Sequence, residues 1–363
     1  MDKTHASRSG AVLAIASAVL FGASTPLAKL LIGGGVDPWL LAGLLYLGSG
    51  LGLGLVHLGR RLFGVTRGEA PLRRRDLPWL ALVVLSGGMI GPGLLMLGLA
   101  TVPASTASLL LNLEGLATMA IAWLAFRENV DRRLLLGAAA ILGGAVLLSW
   151  QGGPSGFSGG GFGLGALAIA GACLAWAIDN NLTRKLSAAD PVQIAAIKGA
   201  VAGAMNLALA FAVGARLPTL TVIGEAAAVG FLGYGVSLVL FVLGLRALGA
   251  ARTSAYFSTA PFIGAMLAIA MFGEPVTAGL VAAGVLMGIG LYLHLAETHE
   301  HTHAHEAIEH EHRHSHDAHH QHRHQPGNPA GEPHAHRHRH LPIVHAHPHY
   351  PDLHHRHEHA ASS

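Results

Sequence analysis

Charge is scarce in this chain: Asp, Glu, Lys and Arg supply only 12% of its 363 residues, while 52% are hydrophobic. That shortage excludes an ordinary soluble domain, in which roughly a quarter of the residues are charged. Cysteine is scarcer still. The single Cys173 excludes an intramolecular disulfide and gives no redox-compartment signal; inside an apolar block it reads as a small packing residue. Also missing are a Walker loop, a zinc-protease motif and any spaced set of nucleophile and base, so nothing points to an enzyme. "HEAIEH" at 305–310 comes near the protease helix, but Glu309 stands where its second histidine ligand belongs.

What is present is length in the apolar runs. A helix needs about 20 mostly apolar residues to cross a bilayer, and ten such blocks fill the chain. They fall near 10–32, 38–58, 77–99, 103–126, 132–150, 162–183, 190–214, 222–246, 252–272 and 276–296. The first, preceded by "HASRSG", resembles a signal peptide, yet nine further spans make it an uncleaved anchor. Lys and Arg accumulate on the cytoplasmic side of a membrane. With the N-terminus inside, inner segments hold Lys3, Arg8, the run Arg73, Arg74 and Arg75, and others to a total of fifteen, against Lys29 and Arg216 outside. Both termini are therefore expected in the cytoplasm, of a bacterial-type inner membrane. The segment "SWQGGPSGFSGGG" carries no charge and reads as a flexible outer linker.

The chain also echoes itself. A shift of 146 lays "LAFRENVDRRLL" on "AMFGEPVTAGLV", pairing Phe126 with Phe272 and Glu128 with Glu274. A shift of 155 pairs Trp176 with Phe21 and Arg184 with Lys29, and "DP" recurs at 37–38 and 190–191. A repeat of five spans is odd-numbered, so its second copy enters the membrane from the opposite side. Inverted repeats place a solute site near the midplane, where the halves meet. The expected fold is thus all-α and membrane-integral. It comprises a cytoplasmic start at 1–9, five-helix repeats at 10–150 and 162–296, a linker at 151–161, and a disordered cytoplasmic tail at 297–363.

With "FRENV" and "FGEPV" closing the fourth and ninth spans, residues 10–296 resemble the EamA-type members of the drug/metabolite transporter superfamily. The resemblance implies a cavity lined by spans one to four and six to nine, with spans five and ten to one side, and secondary transport without ATP. Two departures from the pattern fall in the first half: Arg127 stands where the second copy has Gly273, and Glu114 is set against Pro261.

Polar residues within the blocks are the candidates for a solute or coupling site. Glu114 lies mid-span, where an ionised acid costs about 2.5–3.5 kcal/mol, so it is expected to face a cavity or a partner. A proton-coupling or substrate-binding carboxylate is one reading; a helix-packing carboxyl is the other. Asn112 and Thr118 share its span. The sixth span brings Trp176, Asp179, Asn180 and Asn181, and the seventh Lys198, at depths that suit an ion pair with Asp179. Tyr234 and Ser237 come from the eighth span, Ser254, Tyr256 and Ser258 from the ninth; hydroxyls often bond back to their own helix. Glu128 and Glu274 read as caps at membrane edges. Glycine pairs such as Gly50/Gly54, Gly199/Gly203 and Gly284/Gly288 allow close helix packing within the chain or in a homodimer.

From His294 onward 24 residues are histidine. Neutral imidazoles bind nickel, cobalt and zinc, and His301, His303, His305, His312, His314, His316, His336, His338 and His340 sit in the densest repeats. No cofactor is required, and no nucleic acid partner is expected. Three functions follow: export of small organic or amphiphilic solutes, efflux of divalent metal loaded by the tail, or a metal-responsive regulator.

Overall fold

The computed structural model describes residues 3–63, 72, 74–126, 132–150, 163–183, 190–248, 250–295, 299–305, 309–314, 334–339 and 343–349. Fourteen helices follow in order: α1 Lys3–Gly33, α2 Pro38–Leu62, α3 Leu77–Val83, α4 Gly91–Thr101, α5 Ala104–Leu110, α6 Asn112–Phe126 and α7 Arg132–Ser149; then α8 Leu164–Thr183, α9 Pro191–Ala212, α10 Leu220–Gly230, α11 Ser237–Leu248, α12 Ala250–Phe257, α13 Ala260–Phe272 and α14 Ala278–Leu295. Two π-helical turns, Val84–Ile90 and Phe231–Val236, join α3 to α4 and α10 to α11. Short breaks at Leu111 and at 258–259 separate α5 from α6 and α12 from α13.

Among the described residues nine helical segments are long and apolar enough to cross a bilayer. The helix expected as the sixth crossing, α8, has 20 residues but is not among the nine. Its last turns are Asp179-Asn180-Asn181, and those side chains dilute its apolar content.

Helix starts follow local chemistry. Asp37 Oδ1 accepts the Leu40 N–H at 3.0 Å and Asp190 Oδ1 the Val192 N–H at 2.8 Å, each one residue before a proline at the first helical position. These are the two "DP" pairs. Gly273, at φ 61°, closes α13 in the left-handed conformation that glycine adopts without strain.

The element boundaries repeat. Ala104 and Ala250, Phe126 and Phe272, Arg132 and Ala278, and Ser149 and Leu295 each bound an element and lie 146 residues apart. The π-turns recur at nearly the same spacing. That offset corrects one sequence pairing: Glu114 is matched by Ala260, and Pro261 by Gly115. The packing is also paired. α1 lies against α11 and α13, and α8 against α4 and α6, so the first helix of each half packs on the other half. α2 crosses α9, and α7 packs on α14.

Glycine makes the central crossing possible. A Cβ on Gly50 would stand 2.1 Å from the Ala200 nitrogen, and one on Gly203 2.5 Å from the Leu47 nitrogen. These glycines serve contacts inside the chain. Among the described residues a Cβ on Gly54 would meet nothing within 4 Å, and one on Gly284 or Gly288 would meet ordinary neighbours at 3.8 and 4.0 Å.

Past α14 the structure differs from the unstructured tail expected from composition. Strand β1, His299–His305, pairs antiparallel with β4, Ile343–His349, and β2, Glu309–His314, with β3, His334–Arg339. The physical reason is in the pattern: histidine at every second position is a period of two, which a strand sorts onto one face. The all-α description therefore holds through Leu295 and not for these four segments.

Candidate functional site

Glu114 lies in the first turn of α6, just beyond the break at Leu111, and is half-buried. Its Oε1 accepts a hydrogen bond from Asn180 Nδ2 of α8 at 2.9 Å. Thr118, one turn on, donates its hydroxyl to the Glu114 carbonyl at 2.8 Å, and Asn180 Nδ2 also comes within 3.4 Å of that hydroxyl. Asn181 donates to the Thr118 carbonyl at 3.2 Å and to the Ala177 carbonyl at 2.9 Å, while its own Oδ1 is buried with no hydrogen-bond partner among the described residues. The Glu114 carboxylate of one half is thereby held by the Asn180 amide of the other.

Behind it lies the ion pair read from the sequence. Lys198 Nζ meets Asp179 Oδ2, and Thr183 donates to Asp179 Oδ1 at 3.1 Å. Asp179 is 4% exposed and packs on Gly87 of the first π-turn, where an added Cβ would stand 1.9 Å from Oδ2. A π-turn breaks the regular ladder of backbone bonds, and its carbonyls become acceptors for side chains. The Gly87 carbonyl takes two donors, Trp176 Nε1 at 2.9 Å and Tyr46 OH at 2.8 Å. The Gly88 carbonyl takes Asn206 Nδ2 at 2.9 Å.

Aromatic rings continue the line into the second half. Tyr46 and Tyr234 lie 5.5 Å apart between ring centres, Tyr234 and Phe21 6.0 Å, Phe21 and Phe257 5.3 Å, and Phe257 and Phe241 4.9 Å. A polar carboxylate, an ion pair and an aromatic wall thus converge where the halves meet.

Not all sequence candidates belong to it. Asn112 is buried and turns to the Leu109 carbonyl at 2.8 Å and to Met287 Sδ at 3.8 Å, bracing the break between α5 and α6. Ser258 donates to the Ser254 carbonyl at 2.7 Å, so it bonds back to its own chain segment; Tyr256 is 37% exposed. Ser237 exchanges hydrogen bonds with Ser17 of α1. Trp123 is 46% exposed on α6. Glu274 accepts the Ala104 and Ser105 N–H groups at 2.7 and 2.9 Å, capping α5 from the other half, while Lys29 donates to the Val102 carbonyl at 3.0 Å beside it. Glu128 lies outside the described residues.

Tyr46, Asn206 and Gly87 escaped the sequence reading. Tyr46 and Asn206 were recoverable by the rule that found Glu114, a lone polar side chain in an apolar span; Gly87 carried no signal, because nothing in "LSGGMIG" marks a π-turn.

In the tail, His301 lies opposite His347, His303 opposite His345, and His312 opposite His336. His305 and Ile343 are partners, as are His314 and His334, and His338 and His310. His316 and His340 lie outside the described residues. Among the described residues no group of three or more His, Cys, Asp or Glu gathers as a metal site, so metal efflux gains no support from the membrane region.

A bundle of membrane-length helices with a polar cluster where two similar halves meet defines a multi-pass membrane transporter. The model of the EamA-like transporter family matches residues 8–150 and again 163–296, and the chain belongs to that family. An uncharacterized transporter of Methanothermobacter thermautotrophicus (strain Delta H) is 27% identical over 294 residues, covering 78% of this chain and 85% of the relative. A solved crystal structure shares the fold with a TM-score of 0.56 at 20% identity, covering 79% of this chain and 95% of that one.

Proposed function

We propose that this protein is a secondary transporter of the inner membrane that exports small organic or amphiphilic solutes by alternating access, with Glu114 as the group that exchanges solute for protons. One observation carries the reading: a half-buried carboxylate at bilayer depth in one half is held by the neutral Asn180 of the other, while the nearby Lys198 already has Asp179. Among the described residues Glu114 forms no ion pair, and an intramembrane carboxylate of that kind is set to take a proton or a cationic group. The aromatic wall from Tyr46 to Phe257 suits the apolar part of an organic solute, and the exposed Asn180 amide beside Glu114 offers a polar handle. Element boundaries that recur every 146 residues, over five spans per half, fit inverted repeats with both termini in the cytoplasm.

The test uses everted membrane vesicles energised to an acidic interior, with a dye that reports the pH difference. Solutes that the protein exchanges for protons collapse the difference in wild type and leave it intact in Glu114→Gln. Equal collapse in that variant, at equal protein level, contradicts the coupling role.

A second reading concerns the tail alone and rests on the register that sets histidine opposite histidine. Directly opposed residues have Cβ atoms about 4.5–5.5 Å apart, within reach of one shared metal ion. We propose that the tail binds nickel, cobalt or zinc. Equilibrium dialysis of the full chain against a truncation after Ala296 tests this; equal metal retention by both contradicts it.

A further inference from the structure

The two halves share a fold, but they are not in the same state at their corresponding ends. α5 is buried almost throughout, whereas Arg252, Ser254 and Tyr256 of its counterpart α12 are exposed. Arg252 and Tyr256 share one face of α12 and Ser254 the opposite one; exposed polar groups on both sides of a helix cannot all lie against lipid chains, so it borders an open aqueous space.

The packing shows what has closed on α5. A Cβ on Gly22 of α1 would stand 2.4 Å from the Ala260 carbonyl oxygen, and one on Gly264 of α13 2.7 Å from the Gly22 oxygen and 2.9 Å from Ser108 Oγ. Gly22, Ala260, Gly264 and Ser108 thus form one tight junction of α1, α13 and α5. Ser108 is 1% exposed within it. The offsets of 155 and 146 carry this junction to Ala177 of α8, Glu114 and Thr118 of α6, and Ser254 of α12. Its first two members already touch: Asn181 ties the Ala177 and Thr118 carbonyls together, and Asn180 ties α8 to Glu114. The third is absent from the junction, since α12 packs mainly on α1 and α11 rather than on α6 or α8.

We infer that α12 is the inner gate, and that in the opposite state Ser254 seats on α6 beside Thr118 and Glu114, as Ser108 now seats on Gly264. In an inverted repeat the closure made at one face by the first half's element is made at the other face by its counterpart. This structure is then open to the cytoplasm and sealed at the outer face, where Glu274 and Lys29 hold the turn between α4 and α5. Ser254 is a positioning residue: its docking closes the space over Glu114 and commits a bound solute to the outward path. This rests on the alternating-access reading above.

The experiment places cysteines in a Cys173→Ala background. Thr118→Cys with Ser254→Cys is exposed to a copper–phenanthroline oxidant in native membranes, with Ser17→Cys and Ser237→Cys as the positive pair, whose hydroxyls stand 3.1 Å apart here. In parallel, Ser108→Cys alone is labelled in intact cells with a membrane-impermeant maleimide, before and after the proton gradient is collapsed. The inference expects a Thr118–Ser254 disulfide several-fold above either single variant, together with labelling at position 108 that changes with the gradient. Gradient-dependent labelling at 108 with no 118–254 disulfide overturns the gate while leaving alternating access standing. Neither disulfide nor change in labelling, with the 17–237 pair cross-linked, overturns both.

Discussion

The Asp179–Lys198 pair offers the sharpest test of the site's energetics. Asp179→Asn leaves the Lys198 ammonium in a largely buried position without the carboxylate it pairs with. Lys198→Met does the reverse, and its cost is the larger because the Asp179 side chain is only 5% exposed against 20% for Lys198. Removing one partner of a buried pair costs about 3–5 kcal/mol; with the lysine one-fifth open, about 2–3 kcal/mol is expected for Asp179→Asn here. Replacing both removes the unpaired charge, so the double variant is expected within about 1 kcal/mol of wild type. A double-mutant cycle on the purified protein in detergent micelles, read as unfolding midpoints in a graded denaturing detergent, gives the coupling directly. The same order should appear in transport, with Asp179→Asn worse than the double variant. Additive losses, with the double variant the least stable of all, would refute the pairing.

Other substitutions probe the π-turn and the outer seal. Gly87→Ala drives a methyl to 1.9 Å from Asp179 Oδ2 and should displace that carboxylate, lowering stability as Asp179→Asn does; an unchanged unfolding midpoint argues against the contact. Tyr46→Phe and Trp176→Phe should each cost about 0.5–1.5 kcal/mol. Together they should cost more than their sum, because the Gly87 carbonyl then loses both donors; strict additivity in the same unfolding assay would count against shared acceptance. Glu274→Ala strips the cap from α5 and should cost about 1 kcal/mol, with Glu274→Gln closer to wild type. Equal losses in the two variants would show that the carboxylate's acceptor role is unimportant.

Membrane architecture was readable in the sequence because the bilayer imposes a length and a polarity that survive in any linear pattern. The ion pair was readable for the same reason: Asp179 and Lys198 are both too costly in lipid to stand alone, and their depths agree. Asn180 and Glu114 were each picked out, but no linear signal indicated that they would meet across the two halves. Asn112 sits only two residues before Glu114, yet the break at Leu111 turns it towards α14, which helical spacing alone does not reveal. The π-turn at 84–90 was invisible, and with it the partners of Tyr46 and Trp176. The tail shows the converse: composition suggested no order, whereas the alternation of histidine, a period of two, was the feature that the strands express.

The central claim is that Glu114 serves a transport site for organic solutes, independently of the histidine tail. Everted vesicles loaded by incubation with a cell metabolite extract, then washed and profiled by untargeted mass spectrometry and elemental analysis, test it in one measurement. Wild type and the truncation after Ala296 are expected to accumulate at least one organic solute that Glu114→Gln does not. Accumulation that is unchanged in Glu114→Gln, or a gain confined to nickel, cobalt or zinc that needs both Glu114 and the tail, would contradict it.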